Sequence, residues 1–191
     1  GNTPMIKINY KYKDEMKHIY TKLEYYNLTG SIKDRMAYYI IKKSYESGDL
    51  RKGMPIIEAT SGNTGISFSA LGAYFGNPVY IFMPDWVSSE RKRIMEMFGA
   101  TVTLISKEDG GFTKCIELGD NLSKSINGFR PNQFDNLDNI EAHYLTTGKE
   151  IVDKLARING FVSGIGTGGT LIGIGKRLKT ARLTLTTPAK Y

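Results

Sequence analysis

Cysteine is nearly missing from this chain: Cys115 is the only one in 191 residues. That excludes an internal disulfide and any thiolate metal cluster, and leaves Cys115 to be read as a small apolar residue on a helix. Histidine is as scarce, with His18 and His143 alone. No zinc site is expected from two such residues, and His143 reads as structural. No Ser–His–Asp or Cys–His pairing is suggested, and no metal is expected. No apolar run approaches the ~20 residues that span a bilayer. With no signal-peptide pattern either, a cytoplasmic protein without a membrane partner is the expectation. Acids are absent after Asp153, and the tail from Thr180 to Tyr191 carries four threonines in a weakened apolar pattern.

What is present is ordinary for a globular protein: 40% apolar and 24% charged residues. The net charge of +7 does not form a stripe. Lys11, Lys13 and Lys17 alternate with Asp14 and Glu15, and Arg91, Lys92 and Arg93 follow Glu90. Such mixing describes solvated faces, and no nucleic-acid partner is expected.

Strands are predicted over 5–8, 18–24, 55–59, 78–83, 101–105 and 161–164, with a short one over 129–134. Helices are predicted over 33–47, 63–75, 88–98, 112–126, 140–155 and 170–178. Ser31 is the candidate N-cap of the first helix, and Gly48 follows its end. Strands alternating with helices give an α/β fold with a parallel sheet.

Three segments carry chemistry. Lys33, in Ser31-Ile32-Lys33-Asp34-Arg35, sits at a helix start, where the dipole disfavours an ammonium and favours a free amine or an imine. Thr60-Ser61-Gly62-Asn63-Thr64-Gly65 joins the end of a strand to a helix, where open α/β sheets collect ligands. Its hydroxyls and backbone N–H groups suit a carboxylate, and Asn63 adds an amide donor for a phenolate-like oxygen. Capping of the helix by Ser61 or Asn63 is the plainer alternative. Gly164-Ile165-Gly166-Thr167-Gly168-Gly169-Thr170 matches the dinucleotide pattern, but no acid lies ~20 residues beyond it to take a ribose. There remains a turn suited to one phosphate. Together these describe a site for a phosphorylated aldehyde cofactor.

The order of seven motifs resembles the cysteine synthase family, the O-acetylserine sulfhydrylase branch of the fold-type-II pyridoxal-phosphate enzymes. They are Gly1-Asn2-Thr3-Pro4, Lys22-Leu23-Glu24, the Lys33 and Thr60 segments, Met83-Pro84, Gln133-Phe134 and Gly166-Thr167-Gly168-Gly169-Thr170. Cystathionine β-synthase shares most of them. The resemblance implies pyridoxal 5′-phosphate as cofactor, held as an imine by Lys33, which later removes the substrate α-proton. It implies that Asn63 bonds the cofactor's ring oxygen and that Gly166, Thr167, Gly168, Gly169 and Thr170 hold its phosphate. Thr60, Ser61, Gly62 and Thr64, assisted by Gln133, would take the substrate carboxylate. The implied reaction is a β-replacement: O-acetyl-L-serine loses acetate, an aminoacrylate forms, and sulfide adds to give L-cysteine. A cysteine desulfhydrase or cystathionine β-synthase-like activity is the alternative, and an inactive fragment is another.

The family fold implies two α/β domains with parallel sheets, the smaller over 36–137 and the larger over 1–35 and 138–191. It also implies a possible homodimer. Family members continue beyond the glycine turn with a strand ending in a glutamate-proline pair. The tail after Lys179 does not resemble it, so a C-terminally truncated chain with an incomplete larger domain is expected.

Overall fold

The chain opens on a hairpin. In the computed structural model, which describes residues 1–185, β1 (Met5–Tyr12) pairs antiparallel with β2 (Glu15–Lys22). Lys13 and Asp14 turn the chain at φ 46° and 62°, the two left-handed positions of a tight hairpin turn. The sequence pattern finds only the base of this hairpin. Its outer half alternates tyrosine with lysine, and it pairs locally rather than through a helical crossover.

The parallel sheet follows. Helix α1 (Lys33–Ser47) ends on Gly48 in the left-handed conformation, as the sequence predicts. Then come β3 (Ile56–Ala59), α2 (Asn63–Phe75), β4 (Val79–Pro84), α3 (Ser89–Met97), β5 (Thr101–Ile105) and α4 (Gly111–Ser125). The strands run parallel in the order β3-β4-β5. Strand side chains alternate between faces. Ile56, Val79, Ile81 and Met83 pack with Met36, Ile40 and Phe68 of α1 and α2. Ile57, Ala59 and Phe82 face Cys115 on α4. Cys115 is fully buried and its thiol is pushed up to about 11 by burial, which fits the small apolar role.

The expected strand over 129–134 reduces to one parallel bridge, Ile56 to Phe129. Beyond it, α5 (Asp138–Leu145) and α6 (Thr147–Lys154) replace the single helix expected over 140–155. Thr146 breaks it at φ −110°, ψ −78°. The strand expected over 161–164 is not formed among the described residues, where no neighbouring strand pairs with it. Helix α7 (Gly169–Leu185) closes the described chain and packs on α5 and α6. It takes in the start of the tail, and residues 186–191 of that tail lie outside the described residues.

A buried ion network ties the N-terminal hairpin to α1 and α6. The Arg35 side chain is 1% exposed, and its Nε donates to Glu24 Oε2 at 2.6 Å. Its Nη1 donates to Glu150 Oε1 at 2.7 Å, and its Nη2 to Glu150 Oε2 at 2.8 Å and Glu24 Oε1 at 3.0 Å. Lys22 adds a bond of 2.7 Å to Glu150. Burial alone would raise the Glu150 carboxyl, but bonds from Arg35, Lys22 and the Asn2 N–H bring it down to about 2. Glu24 is also lowered: Arg35 and Thr3 outweigh its burial.

Removing one partner of such a network leaves buried charge uncompensated. Arg35→Ala is therefore expected to cost about 3–5 kcal/mol in urea unfolding. The sign with pH follows from the lowered carboxyls. The unfolded chain takes up protons first as pH falls below the ordinary 4.5. Stability present above that pH is lost as pH falls toward about 2. In Arg35→Ala this acid loss should shrink, as read by unfolding midpoints across the window.

Candidate active site

Helix α1 starts at Lys33. Ser31 does not occupy the cap position assigned from sequence: Ile32 does, without a side-chain cap, and Ser31 Oγ accepts the Lys33 N–H at 3.2 Å. The next two residues are fully engaged. Asp34 accepts the Thr29 N–H at 2.7 Å, the Thr29 hydroxyl at 2.5 Å and the Ser67 hydroxyl at 2.6 Å. Arg35 sits in the ion network. Lys33 itself is half-buried, and no ion pair or hydrogen bond engages its amine among the described residues. Burial holds that amine below the ordinary lysine range.

The Thr60–Gly65 loop leaves the C-terminal end of β3 and enters α2. Gly62 N–H donates to Thr60 Oγ1 at 3.1 Å. The Thr64 hydroxyl donates to Gln133 Oε1 at 2.7 Å, and Gln133 Nε2 donates to the Ala59 carbonyl at 3.3 Å. Below them lies Glu58, 1% exposed. It accepts N–H bonds from Ala59 at 2.8 Å and Gln133 at 3.2 Å, and one from Arg130 at 3.2 Å. Burial pushes its carboxyl up, against the pull of Arg130. Ser61 and Asn63 remain exposed. Arg91 reaches over from the first turn of α3, and its Nη1 donates to the Ser61 carbonyl at 2.9 Å. A Cβ on Gly62 would lie 2.6 Å from Arg91 Cδ, so only glycine admits that approach.

The glycine turn meets this loop through Asn139. Its Nδ2 donates to the Gln133 carbonyl at 3.0 Å and to Thr167 Oγ1 at 2.8 Å. Gly169 opens α7, and a Cβ there would sit 2.1 Å from Asn139 Oδ1. The first backbone N–H groups of a helix lack partners within it, so the start of α7 offers donors to an anion.

Lys33, Thr60, Ser61, Gly62, Asn63, Thr64, Gln133, Gly166 and Thr167 line one cleft of about 310 Å³, together with Arg91 and Phe134. Gly168, Gly169 and Thr170 carry the same turn on into α7 and are not on the cleft wall. Arg91, Asn139 and Glu58 are the participants that sequence reasoning misses. Arg91 lies in a run that reads as a solvated face, and Asn139 and Glu58 act from beneath the motifs.

The profile of the family described as "Pyridoxal-phosphate dependent enzyme" matches residues 1–188. The chain belongs to that family. It is 38% identical over 181 residues to a cysteine synthase of Staphylococcus aureus, covering 94% of this chain and 58% of that protein. It is 41% identical over 180 residues to cysteine synthase B of Pseudomonas aeruginosa, covering 94% and 60%. The solved structure of a hydrogen sulfide-producing enzyme from Fusobacterium nucleatum matches with a TM-score of 0.91 at 53% identity, covering 94% of this chain and 55% of that one. The chain thus spans somewhat more than half the length of these relatives.

The cleft fits the family's cofactor in its donor chemistry. An uncommitted amine faces it from Lys33. Gly166 and Thr167 of the glycine turn stand at another wall, with the start of α7 just beyond them, and Asn63 is exposed.

The lowered Lys33 amine gives a direct test. In competitive acylation followed by peptide mass spectrometry, the pH midpoint for Lys33 should lie below the ordinary lysine value of about 10.4. A midpoint at or above that value would contradict the desolvated amine.

Proposed function

We propose that this chain serves a pyridoxal-phosphate-dependent cysteine synthase, which makes L-cysteine from O-acetyl-L-serine and sulfide. One observation carries the proposal: the unpaired amine of Lys33 opens onto the same cleft as the Thr60–Thr64 loop and the Gly166–Thr167 turn. Pyridoxal phosphate, when bound, supplies an aldehyde for the amine and an electron sink for charge developing at the substrate α-carbon.

The residues divide the work by chemistry. Lys33 would hold the cofactor through its amine, whose charged form burial disfavours; once the substrate's own amine displaces it, its Nζ would accept the substrate α-proton. Gly166, Thr167, Gly168, Gly169 and Thr170 take the phosphate, and Asn63 donates to the ring oxygen. Thr60, Ser61, Gly62 and Thr64 bind the substrate carboxylate. Gln133 assists by fixing the Thr64 hydroxyl. Arg91, bridged to the Ser61 carbonyl, adds positive potential where that anion arrives. We assign 36–137 to a smaller unit that closes over the carboxylate and excludes water. Residues 1–35 and 138–191 belong to the larger unit, in a homodimer.

A second use of the site is favoured by the 53% identity to the hydrogen sulfide-producing enzyme. There cysteine would be the substrate and sulfide the product.

Supplied with pyridoxal phosphate, O-acetylserine and sulfide, the protein should form cysteine and acetate in equal amounts. Lys33→Ala should lower the rate by about 10²–10⁴-fold, the range for loss of a positioned acid–base group, or more. Faster release of sulfide from cysteine than formation of cysteine would favour the second use. A Lys33→Ala protein with undiminished turnover would overturn the assignment.

A further inference from the structure

His143 is a fully buried titratable group to which the cleft's polar side chains leave no role. His143 on α5 is 0% exposed and lies between two threonine hydroxyls. Its Nδ1 is 2.9 Å from Thr147 Oγ1, and its Nε2 is 3.2 Å from Thr170 Oγ1. Thr147, on α6, is 2% exposed and lies outside the cleft wall. Thr170 stands in the first turn of α7, at the end of the glycine turn.

The direction of these bonds follows from counting protons. A buried hydroxyl hydrogen needs an acceptor. The neighbouring Thr146 gives its own to the Ala142 carbonyl, one helical turn back, at 2.6 Å. Thr147 makes no such bond: among the described residues, His143 Nδ1 is the one partner of its hydroxyl. Thr147 therefore donates to Nδ1. A neutral imidazole carries a single proton, so that proton resides on Nε2. The ring is kept neutral, with its pKa lowered to about 4, first by burial and then by the charges of Lys33 and Arg35. Nε2–H then donates to Thr170 Oγ1, and the Thr170 hydroxyl keeps a proton with no acceptor among the described residues. Run the other way, the chain would turn an oxygen lone pair toward any anion at the start of α7.

We propose that His143 is a positioning residue that aims the Thr170 hydroxyl proton at the cofactor phosphate, through a one-way relay of hydrogen bonds that starts at Thr147. This rests on the proposed role of the glycine turn as the phosphate holder. No proton is transferred. Each bond polarises the next, so a hydroxyl already accepting from Nε2–H is a better donor to a phosphate oxygen. A free hydroxyl rotor would have to be ordered when the phosphate arrives; here the order is built in beforehand.

The two histidines make the test clean. In ¹⁵N-histidine-labelled protein, with His18 assigned by His18→Gln, the ring nitrogens of His143 should report the neutral tautomer protonated at Nε2. A tautomer protonated at Nδ1 would overturn the relay. The second readout is the ratio of affinities for pyridoxal phosphate and for pyridoxal, which isolates the phosphate contribution. Thr147→Val should lower that ratio about tenfold, the size of one charge-assisted hydrogen bond, without changing pyridoxal affinity. Thr170→Val should lower it as much, and the double variant no further. An unchanged ratio in Thr147→Val would also overturn the relay. A wild-type protein that binds both compounds equally would instead refute the glycine turn as phosphate holder, and the relay with it.

Discussion

The first turn of α1 is held by two buried charges, and the cleft depends on that hold. Asp34 binds the loop before the helix at Thr29 and the flank of α2 at Ser67. Arg35 binds Glu24, just past the hairpin, and Glu150 on α6. Parts of the sequence more than a hundred residues apart are thereby fixed around one helical turn. Buried ion pairs are weak contributors to net stability when compared with apolar packing. Their contribution here is geometric. Two charged neighbours direct their bonds into the scaffold, and the amine of Lys33, just before them, has no ion pair or hydrogen bond among the described residues.

That division explains how the cleft acquires its electrostatics. The N-terminal ends of α1 and α2, and the turn entering α7, all open onto it. Helix N-termini favour anions, and Arg91 adds a full positive charge at the rim. An ammonium at Lys33 is unwelcome there. Sequence reasoning assigns that effect to the helix end alone, whereas burial is what lowers the amine in the folded protein. The cleft thus sets an amine whose charged form burial disfavours beside several directed N–H donors.

Much of this was legible before the fold was known, because the chemistry-bearing residues are local. A lysine at a helix start, a hydroxyl-rich strand-to-helix loop and a glycine turn are each written in a few consecutive letters. The parallel sheet was legible too, since Ile56–Ala59, Val79–Pro84 and Thr101–Ile105 are short apolar or β-branched runs between helices. What escaped depends on partners far along the chain. The stretch over 161–164 has strand composition but no strand beside it among the described residues. Residues 140–155 read as one helix, yet Thr146 bends away so that α6 can bring Glu150 to Arg35. Arg91 looks like any surface cation until α3 is folded over Gly62. Asn139 joins two motifs that lie on either side of it in sequence.

On the proposed function, an amine, a carboxylate loop and a phosphate turn of this chain together make one cofactor-binding cleft. This is tested most directly by titrating the 191-residue protein with pyridoxal phosphate while recording visible absorption, then adding O-acetylserine. A saturable visible band that shifts on addition of the amino acid is the predicted result. A protein that stays folded yet leaves the cofactor spectrum as it is in buffer would contradict the claim.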